Sequence, residues 1–104
     1  MKEKVLYFIS QFQNPGTIKT FTEGCCYWFA LILDERFKMS RCEHRIMYNQ
    51  VMGHFGCEID GILYDINGEI TDRENWEYWA EWFFKEPVYR KIVIRDCILK
   101  EKED

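Results

Sequence analysis

The chain has 104 residues, 47% of them apolar and 17% aromatic, which is typical of one folded domain and excludes a disordered chain. Its 14 basic and 18 acidic residues give a net charge of -4, which argues against a nucleic-acid partner because phosphate contacts need clustered Lys and Arg. The longest apolar run, Cys25 to Leu33, is too short to span a bilayer, and no signal-peptide pattern precedes it. We therefore expect one cytoplasmic domain over residues 1–104, without a membrane partner.

Two helices are predicted in the first third of the chain. Apolar residues recur at helical spacing from Val5 to Phe12, and Asn14-Pro15-Gly16 then ends the helix. Residues 17–24 are polar and favour turns, so a loop is expected there. The segment from Cys25 to Phe37 is predicted to be a second helix, apolar all round in its first two turns and hence buried in the core.

The remaining residues predict strands and a third helix. Residues 46–59 are strand-like, and Asp60-Gly61 separates them from a second strand over residues 62–66, a pattern typical of a hairpin. Residues 71–74 fit a capping box, so a helix rich in tryptophan is expected to run to about Phe84. Residues 88–99 are rich in β-branched side chains and predict a last strand. The predicted fold is α+β, with the helices packed on a three-stranded antiparallel sheet.

One of the five cysteines lies where a nucleophile would be expected. An intracellular chain normally keeps its cysteines reduced, and most of these are interpreted as small core residues. Cys26, however, follows Gly24-Cys25 at the start of the buried helix, where backbone N–H groups and the helix dipole favour a thiolate. The same N–H groups are suited to hold an oxyanion, and Gln11 or Gln13 is a candidate for a further donor. Cys25 remains an alternative nucleophile, because an error of one residue in the helix start would exchange the two roles.

The predicted hairpin brings a histidine and an aspartate together. A two-residue turn at Asp60-Gly61 places Ile59 opposite Ile62 and Gly56 opposite Asp65. His54 then lies diagonally across from Asp65 on the same face of the sheet, and the missing side chain at Gly56 leaves room for the imidazole. A hydrogen bond from one ring N–H of His54 to the Asp65 carboxylate would fix the tautomer of His54, so that the other ring nitrogen faces the thiol as a general base.

These residues resemble a known family in their order along the chain. Gly24 to Ala30, His54, Gly61 and Tyr64-Asp65-Ile66 are similar to the transglutaminase-like branch of the papain-like thiol enzymes, and to small phage-type proteins with the same pattern. The resemblance implies a minimal papain-like core in which Cys26 is the nucleophile, His54 the base and Asp65 the orienting carboxylate. It implies thiol-dependent acyl transfer or hydrolysis of a peptide or small amide, without a cofactor.

Three other interpretations remain open. The first is a non-enzymatic phage or mobile-element protein that uses a degenerate papain-like fold to bind or inhibit a host protein. The second is a zinc site built from Cys42, His44, His54 and Cys57, although strand alternation would send the last two to opposite faces of the sheet. The third concerns the aromatic residues 76–83, which are more simply a packed helix face than a platform for a ligand.

Overall fold

A computed structural model describes residues 1–98 as five α-helices, one π-helical turn and a five-stranded sheet. The helices are α1 (Lys2–Ser10), α2 (Pro15–Thr22), α3 (Cys26–Phe37), α4 (Trp79–Lys85) and α5 (Pro87–Val93), and the π-helical turn is Ile94–Ile98. The strands are β1 (His44–Asn49), β2 (His54–Ile59), β3 (Ile62–Asp65), β4 (Gly68–Glu69) and β5 (Trp76–Tyr78).

The sheet has the order β4-β3-β2-β1-β5, and every neighbouring pair is antiparallel. The α+β class is confirmed, but the predicted number of three strands is too low. Residues 46–59 form two strands, because a turn at residues 50–53 folds β1 back onto β2. The short strands β4 and β5 extend the sheet at its two edges.

The second predicted helix, α3, lies against the sheet and organises the core. Its apolar residues Phe29, Ala30 and Leu33 are at most 1% exposed and pack against one face of β2 and β3. That face carries alternate residues of the hairpin, as expected from the two-residue period of a strand. The residues concerned are Phe55, Cys57, Ile59, Tyr64 and Ile66.

The predicted hairpin register is confirmed. Ile59 pairs with Ile62, Glu58 with Leu63 and Cys57 with Tyr64. The turn residues Asp60 and Gly61 have φ angles of 53° and 83°, and two successive positive φ angles are the requirement of a type I′ turn. The Asp-Gly sequence therefore sets which hairpin residues face α3 and which face the opposite side.

The predicted loop over residues 17–24 is wrong, because residues 15–22 form α2. Asn14 caps this helix, with its side-chain oxygen accepting a hydrogen bond from the Thr17 N–H at 2.9 Å, and Pro15 occupies the first helical position. Asn14-Pro15-Gly16, which was predicted to end the first helix, is thus also the start of α2. Phe21 and Ile18 pack against the core and supply the apolar contacts that stabilise this short helix.

Two predictions in the last third are corrected. The tryptophan-rich helix begins at Trp79, since Trp76–Tyr78 pairs with β1 as a strand. The predicted strand over residues 88–99 is helical from residue 87 to residue 98, and Leu99 lies outside the described residues. In this helix Val93, Cys97 and Ile98 meet the core while Val88, Tyr89 and Ile92 face outward. Burial at helical spacing therefore outweighs the β propensity of the segment.

Candidate functional site

Cys26 is the first residue of α3 and is only 6% exposed. Gly24, with a φ angle of 140°, turns the chain into the helix, and the Cys25 N–H donates to the Thr20 carbonyl at 3.0 Å. The first hydrogen bond of α3 runs from the Phe29 N–H to the Cys25 carbonyl. The amides before Phe29 therefore point out of the helix start, beside the Cys26 thiol, where a negative charge is favoured.

His54 and Asp65 form a hydrogen-bonded pair on neighbouring strands. The Nε2 atom of His54 lies 2.9 Å from the Oδ2 atom of Asp65, and the two side chains are 13% and 15% exposed. The second carboxylate oxygen of Asp65 accepts a hydrogen bond from the Asn67 N–H at 2.8 Å. The ring of Trp76 lies edge-on to the imidazole, with 5.8 Å between ring centroids. Both members of the pair are thus held in place.

The thiol of Cys26 lies close enough to the His54 ring to influence its protonation. Burial lowers the pKa of His54, but the hydrogen bonds to Asp65 and to Cys26, together with their charges, outweigh burial and raise it to about 9. Because Nε2 faces Asp65, Nδ1 is the nitrogen left for the thiol. The raised pKa favours the protonated form of the ring. The structure pairs His54 with Asp65 directly and places Cys26 within electrostatic range of His54.

Cys25 and Gln13 lie next to this centre in the fold, whereas Gln11 lies apart from it. Cys25 occupies the N-cap position of α3, is partly exposed, and makes no side-chain capping hydrogen bond. The amide nitrogen of Gln13 donates to the Ile66 carbonyl at 2.6 Å and approaches the Ile9 carbonyl at 3.4 Å. Gln13 therefore ties the segment after α1 to the residue that follows Asp65. Gln11 is exposed and lines a separate surface cavity near the N-terminus.

Three residues near the centre were not predicted from the sequence. Asn49 is the direct antiparallel partner of His54, and its side-chain oxygen accepts hydrogen bonds from the N–H groups of Val51 and Met52, both at 3.0 Å. Tyr48 lies close enough to Cys26 and Cys97 to interact with them electrostatically. The Cys97 sulfur approaches the Gly53 carbonyl at 4.0 Å. The position of Asn49, a polar residue at the end of a strand-like segment shortly before His54, is the feature of the sequence that could have identified it.

The other ionisable groups considered for a metal site lie apart from this centre. His44 pairs with Asp34, with 2.8 Å between its Nδ1 and the carboxylate. Burial raises the pKa of the Cys57 thiol far above its usual value, and Cys57 lies on the opposite face of β2 from His54. Within residues 1–98, no group of three or more His, Cys, Asp or Glu side chains is arranged to hold a metal ion.

The aromatic residues of the third predicted helix are mainly structural. Trp82 is 2% exposed, and Trp79 stacks on it and packs against Tyr48 and Phe55. Phe84, by contrast, is 75% exposed. Over the described part of the chain, the helices are too short or too polar to cross a membrane.

The fold and the site define a small α+β protein with a buried Cys-His-Asp cluster at the start of a core helix. The model of the phage YunG-like protein family matches residues 7–93, a range that includes Cys26, His54 and Asp65. The chain belongs to this family and is a phage-type protein. No curated protein and no solved structure matches the chain.

Proposed function

We propose that the protein is a thiol enzyme that transfers an acyl group or hydrolyses an amide, with Cys26 as nucleophile. The observation that carries the proposal is the hydrogen bond of 2.9 Å between His54 and Asp65, with Cys26 close enough to the ring to raise its pKa. The proposal also rests on the resemblance of the sequence to papain-like and transglutaminase-like enzymes, in which a cysteine begins a helix beside a histidine on a strand.

In the proposed first half-reaction, the Cys26 thiolate attacks the carbonyl carbon of a peptide or small amide. The carbonyl π-electrons move to the oxygen, which the backbone N–H groups at the start of α3 stabilise. As the tetrahedral intermediate collapses, the C–N bond breaks and the His54 imidazolium gives its proton to the leaving amine. The products of this step are an amine and a thioester on Cys26.

The second half-reaction regenerates the thiolate. Neutral His54 takes a proton from water or from an acceptor amine, which attacks the thioester carbon. The C–S bond then breaks, releasing an acid or a new amide, and the proton stays on His54 beside the thiolate. Asp65 keeps its charge throughout, holding the ring with Nδ1 toward the sulfur. These steps need no cofactor.

The test uses an activated ester, because a thiolate attacks such a carbonyl without a matched substrate. Incubation with p-nitrophenyl acetate should release nitrophenolate and leave an acetyl group on Cys26, detected by mass spectrometry of peptides. His54→Ala should slow acylation of Cys26 by about 100-fold, as expected for loss of a general acid-base group. The matched control is His44→Ala, which removes the other histidine–carboxylate pair and should leave the rate unchanged.

Equal acylation of all accessible cysteines, indifferent to His54, would refute the enzyme and favour the second candidate function. This is binding of a host protein, and exposed apolar side chains on the consecutive helices α4 and α5 support it. Val88 is 76% exposed, Phe84 75%, Tyr89 51% and Ile92 47%. A binding function would be lost in Val88→Glu and kept in Cys26→Ser, whereas an enzyme would show the opposite pattern.

A further inference from the structure

A cavity of about 570 Å³ lies between α1 and the end of α3. Three aromatic side chains line it, from Tyr7, Phe8 and Phe37. Lys4 and Arg36 add two cationic side chains to the same lining. The volume lies in the range of cavities that hold small organic molecules, and the walls combine apolar surface with hydrogen-bond donors.

The guanidinium of Arg36 is held against two of these rings. Its central carbon lies 5.5 Å from the centroid of the Phe8 ring and 5.1 Å from that of the Phe37 ring. The two rings meet edge to face with 5.8 Å between their centroids, and Phe37 is only 3% exposed. The rings therefore orient the guanidinium and leave N–H groups at its edge available to a ligand.

The charged groups of the cavity favour a negative ligand. Within residues 1–98, neither Arg36 nor Lys4 forms an ion pair with a carboxylate. Among the described residues, Glu3 is the only acidic side chain in the lining, so the two cations outnumber it. A carboxylate at the edge of Arg36 would thus gain an oriented cationic partner that no described side chain already occupies.

We propose that this cavity binds a small aromatic carboxylate. The carboxylate accepts hydrogen bonds from the N–H edge of Arg36, and Lys4 adds a second positive charge. The aromatic part of the ligand packs against the rings of Tyr7 and Phe8. A neutral amide of the same shape lacks the charged hydrogen bonds and therefore binds more weakly.

This site is separate from the proposed catalytic centre. Cys26 and Phe37 are the first and last residues of α3, so about 16 Å of helix lies between the thiol and this cavity. The inference is therefore independent of the proposed function and is tested without reference to thiol chemistry.

The test compares two compounds that differ in one charged group, indole-3-propionate and indole-3-propionamide. Each is titrated into the protein, and the backbone amide signals in two-dimensional NMR spectra report both the affinity and the place of binding. We expect the acid to bind at least about tenfold more tightly than the amide. The signals of Tyr7 and Ser40, which line the cavity, should shift, and those of Cys26 and His54 should not.

Three variants assign that preference to the cavity. Arg36→Gln should reduce the ratio of the two affinities to about three or less. Arg45→Gln is the matched control, because Arg45 also lies over an aromatic ring, 4.4 Å from the Tyr78 centroid, but does not line this cavity. It should keep the wild-type ratio. Lys4→Gln, at an exposed position of α1, should lower the ratio about threefold even if Arg36→Gln unfolds, and circular dichroism melting curves report on folding.

The outcomes separate this site from the rest of the molecule. Equal affinity for the acid and the amide would overturn the proposal, and so would a complete lack of binding by the acid. A wild-type preference that persists in both Arg36→Gln and Lys4→Gln would also overturn it. Cys26→Ser should bind the acid as the wild type does. A loss of binding in Cys26→Ser, with shifts around His54, would place the ligand at the other centre and contradict the assignment.

Discussion

The Nε2 atom of His54 and the Oδ2 atom of Asp65 lie 2.9 Å apart on neighbouring antiparallel strands. The second oxygen of Asp65 is engaged by the Asn67 amide at 2.8 Å, so the carboxylate has one orientation available. This pair fixes the ring of His54 and, through it, the nitrogen that meets Cys26.

Replacing the Asp65 carboxylate by an amide should lower the pKa of His54. In the wild type, burial lowers the pKa of His54, but the hydrogen bonds to Asp65 and Cys26 raise it to about 9. Asp65→Asn removes the negative partner, so burial regains weight and the pKa should fall by about one to three pH units. NMR titration of the imidazole C–H signals measures it, with the His44 ring as internal reference. An unchanged titration of His54 would contradict the pairing.

The same pair should make stability depend on pH. The pKa of His54 is raised from 6.5 to about 9, so its protonated form favours the fold. Its contribution is fully present below pH 6.5 and is lost as the pH rises through 9. The stability advantage of the wild type over His54→Gln should shrink by about 3 kcal/mol across that range, measured by urea unfolding. When both proteins also carry Asp65→Asn, this difference in stability should hardly change with pH. A wild-type advantage that grows as the pH rises would contradict the predicted direction.

Asn49 should position His54 through the turn between them. Its side-chain oxygen holds the N–H groups of Val51 and Met52, and its nitrogen donates to the Glu74 carbonyl at 3.2 Å. Asn49→Ala removes all three of these partly buried hydrogen bonds and should cost about 1–3 kcal/mol. Asn49→Asp keeps the acceptor and should lose less stability and less acylation of Cys26. If Asn49→Ala and Asn49→Asp lose the same stability and the same acylation of Cys26, the turn does not depend on the side-chain oxygen of residue 49.

Gly56 is required for close packing of β2 on β3. A Cβ atom at this position would lie 2.9 Å from the Tyr64 carbonyl oxygen and 3.3 Å from a methyl of Leu63. Gly56→Ala should therefore destabilise the fold by about 1–3 kcal/mol and lower Tm by roughly 5–15 °C. Gly16→Ala is the control, since its Cβ would meet only Asn14 at 3.5 Å inside α2. Equal melting temperatures of the two variants would show that the strands can separate at Gly56.

The hairpin and the start of α3 were predictable because local chemistry determines them. Asp60-Gly61 specifies one tight turn, and the two-residue period of the strands then places His54 and Asp65 on one face. The long apolar run from Cys25 identifies a buried helix, and Gly24 marks its beginning. These two local signals were sufficient to select Cys26, His54 and Asp65 as neighbours.

The remaining elements depend on contacts between distant parts of the chain. Residues 88–98 have β-branched side chains, but their burial follows helical spacing because Val93 and Cys97 meet the core around α3. Trp76–Tyr78 becomes a strand only because β1 offers a free edge to pair with. A second cavity, beside Tyr48, depends on both corrections, since the helices α4 and α5 form its wall. The sequence therefore indicated the three candidate catalytic residues, whereas this cavity depends on α5, a helix that it did not predict.

The most direct test of the central claim is the rate at which iodoacetamide alkylates Cys26, measured from pH 5 to pH 9 by peptide mass spectrometry. With the His54 imidazolium beside the sulfur, Cys26 should react at pH 6 at least about tenfold faster than Cys25 and Cys42, and His54→Ala should abolish that excess. His44→Ala should leave it unchanged. A Cys26 that reacts more slowly than the other cysteines at pH 6, or equally in wild type and His54→Ala, would contradict the account.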